Sequence, residues 1–341
     1  ARNGVEIKLR QPLREASVAG LSDGQWASIE RLLEHVKEEL NVQTVKRSPL
    51  LPDFAAIESK LNFRSVGPRL GNRTKAAARE FASGEMTAVA EETEREARPL
   101  SREWVKRYAA MGFLGINIPT RYGGLGLGNV DALLVLEEFA KISSAVAFPI
   151  FESVVGPVRA LEHFADDALK DRVIPAVCRG EMMVAVAMSE PDAGTALTDL
   201  RTRAEVRGDR IVVNGAKRWC SGGGHSDAYL VYCRLSETPG AKGIGAVYVE
   251  GDTPGLTFGE QEQLMGFRGV PECDLYFDDV SVPADHLVVP AGGFPRLMRA
   301  FDLERCGNAT MALGLASGAL DDALIWVQER RQFGKPIVEF Q

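Results

Sequence analysis

Apolar positions recur at steps of three and four in two stretches of the chain, and at steps of two between them. From 76 to 185 the helical period dominates, and it predicts helices at 76–97, 101–112, 130–142, 152–164 and 166–179. From 186 to 290 the period changes to two and predicts strands at 202–206, 210–215, 229–235, 245–250, 256–260 and 273–282. Gly208-Asp209 and Asn214-Gly215 mark turns. From 291 the helical period resumes, with Leu297, Phe301, Glu304, Asn308, Met311 and Leu315 on one face. Gly314 and Gly318 give that helix a smooth strip for close packing.

This order predicts an α+β fold in four parts. Residues 1–75 are an extension with one amphipathic helix, carried by Trp26, Ile29, Leu33, Val36 and Leu40 behind the capping signal Ser22-Asp23-Gly24-Gln25. Residues 76–185 form an N-terminal α-helical domain, and 186–290 a middle antiparallel β-barrel or sandwich. Residues 291–341 start a C-terminal helical bundle. One long helix leaves its apolar face without partners, so the rest of that bundle is expected outside this chain or from another subunit. The first residue is Ala1, so a processed or trimmed start is expected.

Composition narrows the class without naming a function. Apolar residues make up 45% and charged residues 26% of 341, which is a globular balance. With 40 basic and 47 acidic residues the net charge is −7, which argues against a broad nucleic-acid surface. No apolar run is read as reaching the roughly 20 residues a bilayer span needs, so no membrane partner is expected. Cys178, Cys220, Cys233, Cys273 and Cys306 are scattered and form no Cys-x-x-Cys pair, and the four histidines are as dispersed. Neither a disulfide framework nor a metal site is predicted, and a reducing compartment, the cytoplasm, fits.

Three motifs stand out. The glycine-rich run 119–128 lacks a strand–loop–helix setting and reads as a tight turn between helices. At the junction of the helical and β regions, Ala187-Met188-Ser189-Glu190-Pro191-Asp192-Ala193-Gly194-Thr195 offers a hydroxyl, a Pro-fixed turn, and a glycine that lets backbone N–H groups approach a ligand. An ordinary domain-junction turn is the plainer alternative. In Lys217-Arg218-Trp219-Cys220-Ser221-Gly222-Gly223-Gly224 a Trp and a hydroxyl alternate before a flexible glycine run, which suits a planar cofactor. Taken alone, the segment is better explained by a core Trp beside a loop.

Together with the helix–strand–helix order, these blocks resemble the acyl-CoA dehydrogenase flavoprotein family over roughly residues 78–341. Further marks are Ile118-Pro119 with Tyr122-Gly123-Gly124-Leu125-Gly126, Met265-Gly266-Phe267-Arg268-Gly269, Asp278-Asp279-Val280-Ser281-Val282-Pro283, and Arg330-Arg331-Gln332-Phe333-Gly334. The resemblance implies FAD, held by Val186, Met188 and Ser189, with Thr195 on the CoA or cofactor side. It implies Trp219 flanking the flavin and Ser221 near its N5. Arg330, Gln332, Phe333 and Gln341 match positions that reach the FAD of a neighbouring subunit, which implies a homotetramer or homodimer.

The implied reaction forms an α,β-double bond in an acyl-CoA or acyl-carrier thioester. It needs a carboxylate base for a very weakly acidic α-proton and a hydride acceptor for the β-carbon. In the family the base is a glutamate, and it lies either late in the C-terminal bundle, beyond Gln341, or at the position of Glu304. Asp302 and Arg305 match positions lining the substrate pocket. If the base lies downstream, Glu304 reads as a helix carboxylate paired with Arg305 or another neighbour. An electron-transferring flavoprotein is the implied acceptor, and a eukaryotic member would sit in the mitochondrial matrix. The sequence departs from the family at Thr195-Ala196 and at Val270-Pro271-Glu272, where contacts to the acyl carrier are implied. An oxidase, a carrier-linked dehydrogenase, an elimination such as desulfination, and a non-catalytic scaffold on the same fold are the alternatives.

Overall fold

The computed structural model describes residues 68–340, so the helix expected at 22–40 and the assignment of Gln341 fall outside the described residues. The described residues form two compact units, 68–322 and 323–340.

The helical part of the larger unit comprises α1 (Pro68–Phe81), α2 (Thr87–Glu96), α3 (Arg102–Ala110), α4 (Asn129–Ala140), α5 (Ser144–Val154), α6 (Pro157–Phe164) and α7 (Asp167–Cys178). A π-helical turn, Ala82–Met86, joins α1 to α2. Its core is built on the rings of Phe81, Tyr108, Phe113 and Phe139, with Tyr108 and Phe113 meeting Phe139 edge-on at 4.9 and 5.2 Å. Around that core Arg79 donates twice to Glu138, at 3.0 and 3.2 Å, and ties α1 to α4. Caps set the helix starts: Ser143 accepts from Ala145 N–H, and Asp166 from Leu169 N–H. Run 119–128 is a turn between helices, as expected. Gly124 is forced there because a Cβ would lie 2.2 Å from the Ile118 carbonyl oxygen.

The single helix expected at 152–164 is in fact two, α5 and α6, and α5 begins much earlier, at Ser144. Gly156 ends the first and Pro157 opens the second, where its missing N–H costs nothing. Two helical stretches are also long and apolar enough to cross a membrane by length and composition, contrary to the sequence reading: Ser144–Phe164 and Phe294–Glu329. The apolar window of the first is 94% buried within the protein, as a core element must be. That of the second is 11% buried.

The middle region is one eight-stranded sheet, ordered β6-β7-β3-β2-β4-β5-β8, with β1 also on β4. Its strands are β1 (Val184–Ala187), β2 (Arg203–Arg207), β3 (Arg210–Ser221), β4 (Ala228–Arg234), β5 (Ile244–Glu250), β6 (Leu256–Phe258), β7 (Glu272–Pro283) and β8 (Leu287–Val289). Most pairings are antiparallel, as expected, but β1 runs parallel to β4, from Val184↔Ala228 to Ala187↔Val231. The sheet is therefore mixed. β1 and β8 lacked the alternation of a half-exposed strand, because both are almost wholly buried.

Helix α8 (Phe294–Glu329) then runs for 36 residues. Its first half crosses α4 and α5 at van der Waals limits. A Cβ on Gly307 would meet Val155 Cγ2 at 2.5 Å, and one on Gly314 would meet the Glu137 carbonyl oxygen at 2.6 Å. Gly318 is as tight, against the Lys141 carbonyl oxygen. In the smaller unit a short hairpin, β9 (Arg331–Gln332) with β10 (Lys335–Pro336), presents Phe333 at 94% exposure.

Backbone contacts at Gly314 cannot yield as a flexible side chain would. Gly314→Ala is therefore expected to lose about 1–3 kcal/mol by overpacking, despite a gain of about 1 kcal/mol in helix propensity. Urea denaturation checks this against Gly84→Ala, where nothing lies within 4 Å of the added carbon and no such loss is expected.

Candidate active site

Strand β1 delivers the segment Val186–Glu190 to the side of β3, and three contacts fix it there. Cys220 Sγ donates to the Val186 carbonyl at 3.3 Å, Arg218 N–H to the Ser189 carbonyl at 3.0 Å, and Lys217 Nζ to the Met188 carbonyl at 2.9 Å. The same ammonium meets Glu190 Oε1 at 2.8 Å, and the two side chains are 0% and 6% exposed. Glu190 accepts further from the N–H groups of Arg201 and Thr202 at 2.6 and 2.9 Å. Burial pushes the Glu190 carboxyl up, but Lys217 and these donors outweigh it and hold it below the usual carboxylate range. A reciprocal pair of backbone bonds between Glu190 and Ala193 closes the turn behind it.

Opposite this segment, β3 carries a bulge. Its register against β7 slips between Lys217 and Cys220, and Trp219 takes a left-handed φ of 54°. Such a φ is strained for a bulky residue, and bulges re-aim side chains. Here the indole is turned out of the sheet, 62% exposed. Its neighbour Arg218 is fixed by Asp274, with bonds of 2.5–3.0 Å, and lies 5.8 Å from the indole ring. Ser221 donates to Glu272 Oε2 at 2.7 Å. Burial raises the Glu272 carboxyl, and the Ser221 hydroxyl works against that rise.

On α8, burial pushes the Glu304 carboxyl up to about 8, and the nearby Arg305 charge opposes the shift only in part. Arg305 is bonded instead to Asp302, at 2.9 Å, with both side chains more than half exposed. The pairing of Glu304 with Arg305 weighed from the sequence does not form. Burial, and after it the Glu304 charge, holds the Tyr232 hydroxyl on β4 well above its usual range.

The structure thus brings Val186, Met188, Ser189, Trp219 and Ser221 to one junction. Thr195 is exposed beyond the Glu190–Ala193 turn, and Asp302 and Arg305 pair on the surface of α8. Arg330, Gln332 and Phe333 belong to the smaller unit, where the Gln332 amide donates to the Arg331 carbonyl and Phe333 meets Phe340 edge-on at 6.2 Å. His225, beside the glycine run, has its Nε2 buried without a partner among the described residues.

Two further acids join the site. Glu272 was visible only as a departure from the family pattern. Glu152, in α5, is 5% exposed, and its Oε2 has no hydrogen-bond partner among the described residues. Burial and then the charges of Glu304 and Glu272 push its carboxyl well above the usual range. Its only signal in the sequence was a lone acid inside the apolar run 145–155.

Family models for the acyl-CoA dehydrogenase N-terminal, middle and C-terminal domains match residues 72–181, 185–280 and 291–341. The chain belongs to the acyl-CoA dehydrogenase family. It is 39% identical over 244 residues to 3-sulfinopropanoyl-CoA desulfinase of Cupriavidus necator, covering 70% of this chain and 62% of that protein. The desulfinase of Variovorax paradoxus is 36% identical over 276 residues, covering 78% and 68%. Among solved structures, butyryl-CoA dehydrogenase of Megasphaera elsdenii superposes with a TM-score of 0.77 at 29% identity, covering 81% of this chain and 73% of that one. The chain spans about three fifths of the length of the first curated relatives it matches, 62% and 60%. The three acids come one from each acyl-CoA dehydrogenase domain: Glu152 from the N-terminal, Glu272 from the middle and Glu304 from the C-terminal.

Removing one partner of the Lys217–Glu190 pair leaves a buried charge uncompensated. Lys217→Met alone is expected to cost about 3–5 kcal/mol, and Lys217→Met with Glu190→Gln distinctly less than the two single changes summed. A urea double-mutant cycle measures this; additive losses would show that the pair does not anchor the junction.

Proposed function

We propose that this protein is an FAD-dependent enzyme that introduces an α,β-double bond into an acyl-CoA thioester, with Glu304 as the base. The junction suits a planar cofactor: an exposed indole held in a strained conformation, hydroxyls on Ser189 and Ser221, and backbone groups of Val186 and Met188 held in place by β3. Bound there, FAD supplies the hydride acceptor that no side chain can provide. Trp219 would cover one face of the ring, and Ser189 and Ser221 would fix its edge. Glu304 takes the α-proton onto its carboxylate, and the dry surroundings that raise its basicity also match it to that task. The observation that carries this reading is the carboxyl of Glu304 on α8, desolvated and without an ion-pair partner among the described residues.

The remaining parts are proposed on the family resemblance. The acceptor of the electrons is an electron-transferring flavoprotein, the assembly a homotetramer or homodimer, and the location the cytoplasm, or the mitochondrial matrix in a eukaryote. The exposed Phe333 hairpin is in keeping with a neighbouring subunit completing the site. The 39% identity to a desulfinase favours a second reading, in which the same junction cleaves the C–S bond of a sulfinate-bearing acyl-CoA, with water supplying the oxygen that makes sulfite and the hydrogen that replaces it on carbon. Sulfite release without lasting loss of flavin colour would mark that chemistry.

Anaerobic mixing of the flavin-loaded protein with a panel of short, branched, aromatic and dicarboxylic acyl-CoAs tests the first reading. The absorbance of the oxidised flavin should bleach with one class of them. Glu304→Gln should keep the flavin and slow bleaching by about 10²–10⁴-fold. Because a base must be ionised, the wild-type rate should rise about tenfold per pH unit below about 8 and level above it. Bleaching by Glu304→Gln at the wild-type rate would place the base elsewhere.

A further inference from the structure

Glu272 stands where the sequence departs from the family pattern, and its Oε2 accepts from the Ser221 hydroxyl at 2.7 Å. The two residues are register partners across β3 and β7. The pair beside them, Cys220 and Cys273, is buried on the core side of the sheet. Side chains alternate along a strand, so Ser221 and Glu272 share the opposite face.

The backbone around this contact is held at every turn. Glu272 N–H donates to Gln261 Oε1 at 2.9 Å, and the Glu272 carbonyl accepts from Glu262 N–H at 2.8 Å. The Gln261 amide donates in turn to the Gly223 carbonyl at 2.9 Å, so one side chain ties β7 to the glycine run. Pro271 fixes the chain entering Glu272, and its carbonyl accepts from Gly222 N–H at 2.7 Å. The Tyr229 hydroxyl donates to the Gly222 carbonyl at 3.2 Å and accepts from Gly224 N–H at 2.9 Å. The glycine run read as flexible is therefore fixed, and Ser221 with it.

A serine hydroxyl has one proton to give and two lone pairs to receive with. A carboxylate oxygen only accepts, and 2.7 Å is the length of a charge-assisted bond to one. The Ser221 proton is committed to Glu272. What Ser221 still offers a ligand at the junction is a lone pair.

We propose that Glu272 is a positioning residue that fixes Ser221 as a hydrogen-bond acceptor toward the cofactor. The inference rests on the FAD reading, in which Ser221 lies near N5 of the ring. N5 of the oxidised ring carries a lone pair and no proton, whereas the reduced ring bears an N–H there. Two facing lone pairs make no bond, so Ser221 adds nothing to the hold on the oxidised ring. It gains a donor once the ring is reduced.

Comparing FAD with 5-deaza-FAD tests this without turnover, by calorimetric titration of the flavin-free protein. The analogue has a C–H in place of N5, so it loses any bond made to the N5 lone pair at unchanged ring charge. Wild-type protein should bind the two within about twofold of each other. Glu272→Leu releases the Ser221 proton and should make FAD the tighter ligand by about three- to tenfold, the worth of one hydrogen bond. Adding Ser221→Ala to Glu272→Leu should bring the ratio back to about one. A preference for FAD of about threefold or more in the wild type, or a ratio unmoved in Glu272→Leu, would overturn the proposal. Should Glu272→Leu fail to fold, Ser221→Ala alone decides: its ratio should match the wild type's, and a change of about threefold or more would count against the proposal. Protein that binds neither flavin would overturn the FAD reading itself, and this inference falls with it.

Discussion

Lys217 carries its ammonium into the middle of a β-sheet and finds Glu190 there, 2.8 Å away, with the Met188 carbonyl beside it. Both side chains are dehydrated, so neither charge is stable without the other. The pair sits between the end of β1 and the start of the β3 bulge, and so decides where both can go. With Lys217 held, Arg218 reaches Ser189 and Asp274, the register slips, and Trp219 is turned out of the sheet. With Glu190 held, the loop behind it closes on Ala193 and its carboxylate satisfies two N–H groups of the chain entering β2. The indole, the hydroxyls and the backbone face of the junction all inherit their positions from this one contact.

The other side of the site is governed by desolvation rather than pairing. Glu152, Glu272 and Glu304 come one from each family domain, and burial raises each of them. Like charges in a dry site cannot all ionise, so such a cluster sorts its members into acids that keep a proton and a base that gives one up. Glycine at 307 lets α8 approach α5, because a side chain there would collide with Phe151 and Val155. α8 is thus set against α5 by an absent side chain, and the end of β1 against β3 by a buried ion pair.

Much of this was legible in the chain. Alternation marked the partly exposed strands β2, β3, β6 and β7, β-branched and aromatic residues marked β4 and β5 although both are buried, and the 3.6-residue period marked most helices, because one face of each meets water. Where both faces are buried that signal vanishes, which hid β1 and β8 and moved the start of α5. The same run of apolar residues that blurred α5 also concealed Glu152, because nothing adjacent in sequence marks it. The Asp302–Arg305 pair shows the converse: spacing places both on one helix, but only the fold shows that they bond each other and leave Glu304 free. The Ser189 and Trp219 blocks were readable because motif spacing survives where periodicity does not.

The central claim is that the Lys217-anchored junction holds a flavin against Trp219. Titrating flavin-free protein with FAD while following flavin fluorescence tests it most directly. Saturable quenching at one FAD per chain, relieved in large part by Trp219→Leu with binding retained, is the expected result. Unquenched fluorescence at saturation, or quenching indifferent to the loss of the indole, would contradict the account.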